Sequence, residues 1–187
     1  MKSLFASDVK ISMVEVNFQK MLHMTAVELG MSKRPYEVEI SRIDWSCFDD
    51  VTGSAESVAL ALYEFLKDDI SNEELDAAYW KIENRVVVQG QLFSSAIPVT
   101  SVLAASLLEK HSFSVKVMVF EILYQILSGS DLSDDNNGKS PILEECHSMA
   151  REGLWLLYHE LNGAHAEAAL EILDLLELDK NRLNAFR

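Results

Sequence analysis

The one stretch with the spacing of a metal ligand set is Glu144-Glu145-Cys146-His147. Glu144 and His147 stand three residues apart, so on a helix they share a face, as the Glu-x-x-His pairs of carboxylate-bridged di-iron bundles do. Such a bundle needs a second Glu-x-x-His, and no other glutamate here is followed by histidine three residues on. A metal-dependent enzyme using Glu144 and His147 is therefore the most remote reading. His23, His111, His159 and His165 lie far apart in sequence or beside turns, without zinc-ligand spacing. Cys47 and Cys146 form no C-x-x-C pair and are expected as buried free thiols, since a cysteine in an apolar helical pattern usually serves packing. The chain has no Gly-rich phosphate loop and no G-x-S-x-G elbow. These residues point to a protein that is not an enzyme, with no catalytic residue, no metal and no cofactor.

Charge is the stronger signal. The 187 residues carry 30 acids and 16 Lys or Arg, a net of -14. Asp49 to Asp76 holds nine acids (Asp49, Asp50, Glu56, Glu64, Asp68, Asp69, Glu73, Glu74, Asp76) against the single base Lys67. Asp131 to Glu145 adds five (Asp131, Asp134, Asp135, Glu144, Glu145) against Lys139. The two stretches supply twelve of the fourteen net negative charges. Such a field repels phosphate backbones, which disfavours nucleic acid, and attracts a basic protein, with faster association at low salt. The plainer reading of the same residues is a solvated face that aids solubility. Trp80 follows Tyr79 just after the densest acids and is the tryptophan most readily placed in an interface, and Trp155, beside core positions, the one placed at a rim; core or partial burial is the plainer reading for Trp45, Trp80 and Trp155 alike. The candidate partner-binding residues are Asp68, Asp69, Glu73, Glu74, Asp76, Trp80, Asp131, Asp134 and Asp135.

The elements that must carry these residues are helices. Hydrophobic residues make up 49% of the chain, ample for a continuous core. A first helix is expected from Ser7-Asp8 to Gly30; its charges at Asp8, Lys10, Glu15, Lys20 and Glu28 support neither a signal peptide nor a membrane span, so a cytosolic protein with no membrane partner is expected. Lys33 to Asp50 reads as irregular, with Val38, Ile40 and Ile43 alternating enough for at most a short strand. Gly53-Ser54 is expected to open a helix burying Val58, Leu62, Phe65 and Leu66. Ser71 and Glu74 form a capping box for a helix burying Leu75, Ala78, Tyr79, Ile82 and Val86. Gln89-Gly90-Gln91 breaks the pattern before a helix from about Leu92 to Lys110, kinked or divided at Pro98. Ser112 caps a helix to about Ser128 that is apolar nearly all round, as a central layer requires.

Gly129 to Lys139 reads as an exposed loop, and Ser140-Pro141 as a helix start. Ser148 to Glu177 reads as two amphipathic helices, with Leu154, Leu157, Tyr158 and Leu161 on one. Ala166, Ala169, Leu170, Leu173 and Leu176 lie on the other, after a left-handed turn at Asn162-Gly163. A short helix around Asn181 to Phe186 closes the chain. The fold class is all-α, with stacked antiparallel helical hairpins in a single helical-repeat domain over 1–187, an irregular segment at 31–53 and an exposed loop at 129–140.

Hairpins beginning near 54, 92 and 141 recur at roughly 40 to 50 residues, the range of HEAT-type arrays. From Trp45 to about Glu177 the chain resembles a group of bacterial HEAT-like proteins. The resemblance rests on Trp45, the turn Gly53-Ser54-Ala55, the pair Gln89-Gly90, Pro98, and the small residues Ala150 and Gly153. It departs at Thr52, where the group usually has tyrosine, and at Val99, where it usually has an aromatic residue. Some members of the group resemble immunity proteins encoded beside the toxin domains of bacterial competition systems. The resemblance therefore implies an immunity protein that neutralises a cognate, basic toxin by occluding it, with a general adaptor or scaffold as the alternative. DNA-repair glycosylases with HEAT-like folds use a basic groove, which this charge opposes.

Overall fold

Helices dominate the computed structural model, which describes residues 33–130 and 140–187. The expected helix from Ser7 to Gly30, and Asp131, Asp134 and Asp135 in the expected loop, lie outside the described residues. From Pro35 to Arg187 the chain forms one compact unit. Its helices are α1 (Pro35–Arg42), α2 (Glu56–Leu66), α3 (Asn72–Val86), α4 (Ala96–Ser106), α5 (Phe113–Leu127), α6 (Pro141–Glu152), α7 (Leu154–Glu160), α8 (Ala166–Leu176) and α9 (Lys180–Ala185). Two antiparallel hairpins, β1 (Asp49–Asp50) with β2 (Gly53–Ser54) and β3 (Val87–Val88) with β4 (Gln91–Leu92), tie loops together. The fold is all-α. Among the described residues no helix is long and apolar enough to cross a membrane.

The segment expected to be irregular, 31–53, contains α1. Pro35 stands at its first position, where a missing N–H costs nothing, and Tyr36 and Ile40 bury one face. On the other side Glu39 pairs with Arg42 at 2.5 Å. Val38, read as part of a strand, is exposed. Trp45 is buried in a 3-10 turn, its indole N–H donating to the Ile40 carbonyl at 3.0 Å. Gly53 does not open a helix: its φ of +119° completes the β1–β2 turn, and α2 starts three residues later.

At Gln89-Gly90 both residues have positive φ, 53° and 81°, which makes the break a tight β-hairpin. The helix expected from Leu92 begins at Ala96, so Pro98 falls in its first turn and neither kinks nor divides it. Ser140 caps α6 with Pro141 at the helix start, so Ser148 is mid-helix. Gly153 separates α6 from α7, and an added Cβ there would stand 3.4 Å from the Ala104 Cβ; the glycine lets α6 approach α4 closely. Gly163 is not left-handed, since α7 ends in tightened bonds from Leu161, Asn162 and Gly163 to Tyr158, His159 and Glu160. Gly129 and Ser130, expected to belong to an exposed loop, lie against the β3–β4 hairpin: Ser130 N–H donates to the Gly90 carbonyl at 2.8 Å and Leu92 N–H to the Ser130 carbonyl at 2.7 Å.

Helix α4 packs on α1, α5 and α6, while α2 pairs with α3 and α7 with α8; α5 touches α3, α4, α6 and α8. The breadth of apolar surface expected on α5 has its counterpart in those four neighbours, although Phe113, Val117 and Tyr124 remain exposed. Two buried carboxylates fasten the periphery. Asp50 accepts from Thr52 N–H and Oγ1 and from Arg85 at 3.0 Å, which holds the β1–β2 turn on α3. Burial alone would raise the Asp50 pKa, but Thr52 and Arg85 more than offset it and hold the carboxyl low. Glu177 accepts two bonds from Arg182, at 2.7 and 2.8 Å, and one from the Tyr158 hydroxyl at 2.7 Å. The lock docks α9 on α7.

Two outcomes are expected. The Gly129→Ala Cβ would stand 2.8 Å from Leu92 Cδ2. Overpacking of that kind costs about 1 to 3 kcal/mol, readable as a fall in the urea midpoint at constant slope. The hydrogen bonds of Arg182 hold Glu177 down to about 2. A depressed carboxylate contributes stability above its ordinary range near 4.3 that fades as pH falls toward 2. Thermal unfolding between pH 4.5 and 2 should therefore depend less steeply on pH in Glu177→Gln than in the natural chain; equal slopes would remove Glu177 from the acid response.

Candidate functional site

The outer face of α3 is where charge and exposure coincide. Glu73, Asp76, Ala77, Trp80 and Asn84 recur at i, i+3, i+4, i+7 and i+11, a continuous solvent stripe opposite buried Leu75, Ala78, Tyr79, Ile82 and Val86. Asp68 and Asp69 are exposed in the turn that precedes it. Asp69 adopts φ of 55°, a conformation that Asp tolerates better than most residues. Trp80 is 55% exposed, with Tyr79 packed edge-on against it at 5.0 Å between ring centroids. On the next turn burial and the neighbouring Glu121 raise the carboxyl of Glu83.

The acids read from the sequence do different work. Glu74 completes the capping box, accepting from Ser71 N–H at 3.0 Å while Glu74 N–H donates to the Ser71 hydroxyl, and it pairs with Lys67 at 3.1 Å. The Ser71 backbone N–H, helped by Lys67, holds its carboxyl down to about 2. Glu64 pairs with Lys81 at 2.7 Å and Asp50 with Arg85. Counting charge over Asp49 to Asp76 omits both of these bases, which lie just beyond it in sequence. The face is carried by Glu73, Asp76 and the turn acids, with Trp80 among them.

Trp155 is 64% exposed, but the Arg182 guanidinium already lies over its ring, 5.4 Å from the centroid. Cys146 is buried as expected, and burial pushes its thiol up to about 12, far from a nucleophile's range. Cys47, expected to be buried, is exposed, because the 3-10 turn directs Trp45 inward instead. His147 Nε2 lies 2.9 Å from the Leu127 carbonyl, so this ring joins α6 to the end of α5. Among the described residues no group of three His, Cys, Asp or Glu is placed to hold a metal ion.

A second feature has no counterpart in the sequence reading. Where the α4–α5 turn meets the α7–α8 turn, His111, Phe113, Lys116, His159, Glu160 and His165 line a cavity of about 500 Å³. Lys116 and Glu160 form a largely buried ion pair across it at 2.5 Å, and Phe113 stacks on His165 at 4.6 Å. The pair is separated by 44 residues in sequence, a juxtaposition that only the fold creates. No protein-family model, curated protein or solved structure matches the chain.

The two kinds of acid on α3 are separable by stability. Ser71→Ala removes the cap and should cost about 1 kcal/mol in chemical unfolding. Asp76→Asn touches no cap and should stay within about 0.5 kcal/mol of the natural chain. A comparable loss for both would mean that the exposed stripe is structural.

Proposed function

We propose that this chain is a protein-binding helical-repeat protein that engages a basic partner through the acidic, tryptophan-bearing face of α3. The observation that carries the reading is Trp80, half-exposed in line with Glu73 and Asp76 and preceded by Asp68 and Asp69. An exposed tryptophan supplies a large apolar anchor with a polar edge, and carboxylates around it supply complementarity to Lys or Arg and a cation–π surface for them. The partner class is a cognate protein toxin or another basic protein, and steric occlusion suffices as mechanism.

The finer reading, a HEAT-like stack in an immunity protein, is supported by the order of packing. Helices α4 and α6 form one succession of neighbours and α3, α5 and α8 another, as two layers of a hairpin array would. Its acidic potential suits a basic toxin domain, whose approach it would accelerate. A general adaptor uses the same surface with a different partner.

The test uses Asp68→Asn, Asp69→Asn, Glu73→Gln and Asp76→Asn together, leaving Glu74 in its cap. With the natural chain as bait in a lysate of the source organism, a basic protein should be retained at low salt and released as salt rises. The fourfold variant should fold normally and lose about tenfold or more in affinity, and Trp80→Ala should weaken the complex further. Unchanged affinity with unchanged salt dependence would remove this face from the reading.

A further inference from the structure

Helix α5 keeps an apolar outer side that no helix among the described residues covers. Phe113, Val117, Glu121 and Tyr124 stand at i, i+4, i+8 and i+11, one exposed stripe in which only Glu121 carries charge. The stripe adjoins the partner face of α3. Gln125 Nε2 donates at 3.1 Å both to the Tyr79 hydroxyl and to Glu121 Oε1, and Trp80 lies against Tyr79 with ring centroids 5.0 Å apart. Val117 and Tyr124 thus flank the seam between the two helices on one side and Trp80 on the other.

Charge along this seam is of one sign. Among the described residues Asp76 and Glu83 of α3 and Glu121 of α5 form no ion pair. The bases of α3 are committed, Lys81 to Glu64 and Arg85 to Asp50, and the one base of α5, Lys116, to Glu160. Glu83 and Glu121 repel each other: burial first, and then Glu121, raises the Glu83 carboxyl. A cation set between them would relieve that repulsion. A second copy of this chain would instead bring the same acids against them, because a twofold interface sets a patch against itself. The backbone groups of α3 and α5 are spent inside the helices, so an extended peptide would gain no ladder of bonds here. A helix, by contrast, can set its ridges into the groove between two neighbours.

We propose that α3 and α5 together seat an amphipathic helix of the partner, whose apolar side rests on Val117, Tyr124 and Trp80 and whose flanking Lys or Arg side chains meet Asp76, Glu83 and Glu121. Resting on the reading of α3 as the partner face, this seat gives the partner's contact element a form: a helix, apolar on one side and basic along its borders. Burial of the apolar side supplies affinity, with Trp and Tyr as anchors of the kind that interfaces favour. The carboxylates supply register and a faster approach.

Nitrogen-edited NMR of the full chain tests it with synthetic peptides of about 15 residues, the length of α3 and of α5. The probes are a Leu–Lys amphipathic helix, a Lys–Ser peptide of equal charge without an apolar side, and a Leu–Glu helix. Saturating shifts centred on Val117, Tyr124 and Trp80 are expected with the Leu–Lys helix, with the Lys–Ser peptide about tenfold weaker or more and no saturation with the Leu–Glu helix. Val117→Ser with Tyr124→Ser, both at exposed positions, should leave the fold intact and weaken the Leu–Lys helix about tenfold. Equal affinity of the natural chain for the Leu–Lys and Lys–Ser peptides, or saturating shifts elsewhere on the molecule, would overturn the seat whether or not the variant folds. If the folded double variant keeps full affinity while the fourfold α3 variant loses it, the seat on α5 falls and the α3 face stands alone; if neither variant loses it, both fall. Self-association of the natural chain that the double variant abolishes would assign the stripe to a second copy and overturn the seat as well.

Discussion

The architecture depends on a helix with no polar face. Around α4, Ala96, Pro98, Val99, Thr100, Val102, Leu103, Ala104 and Ser106 are all buried, so the helix must be covered on every side before it is stable in water. Its two buried hydroxyls make the burial tolerable by bonding within the helix, Thr100 to the Ala96 carbonyl at 2.8 Å and Ser106 to the Leu103 carbonyl at 2.7 Å. Small residues set how closely the cover can approach. Ala104 faces Gly153, and Ser101 donates to Glu39 of α1 at 2.6 Å, so α6 and α1 both sit on α4 at short range.

From that helix outward, the chain end of the stack near α4's start is knitted by backbone rather than by side-chain burial. Ser95 N–H donates to the Asp49 carbonyl and Ser94 Oγ accepts from Asp49 N–H, joining the loop before α4 to β1. Val51 N–H reaches the Arg85 carbonyl, and Phe93 N–H the Val86 carbonyl. Short hairpins thus satisfy polar groups that helix ends and connections would otherwise leave bare. This is why so helical a chain carries β1–β4 at all.

Local signals were legible in the sequence wherever the partner of a group lies within a turn of it. The Ser71–Glu74 box, the Ser112 and Ser140 caps and the buried stripe of α3 are of this kind, since helix geometry alone fixes who meets whom. Helix α1 was hidden because only Tyr36 and Ile40 need burial in eight residues, too few to show a period against polar neighbours. Gly53 suits either a helix start or a turn, and Pro98 either the first turn of a helix or a break within one; in both cases the choice rests on where hydrogen bonds to distant residues end the preceding segment. The α3 face was legible in composition, through its acids and Trp80. The cavity was not, because Lys116 of α5, Glu160 at the end of α7 and His165 before α8 come together only where α5 meets the turn between α7 and α8.

Charge counting illustrates the same division between local and long-range information. An ion pair removes one acid and one base together, so pairing leaves the net of -14 unchanged while withdrawing particular residues from the surface potential. Arg85, Lys116 and Arg182 are spent on Asp50, Glu160 and Glu177, carboxylates that the fold buries and must match with a cation. Lys67 and Lys81 are spent on Glu74 and Glu64, at the foot of α3 and along α2. The imbalance therefore falls on exposed acids without an assigned base, such as Glu73 and Asp76, which flank Trp80 on one side of α3. Arg85, Lys116 and Arg182 are thus committed by the requirements of the interior, while Lys67 and Lys81 pair with acids on the surface, and the negative field that remains outside depends on where the bases are held as well as on how many acids the chain contains.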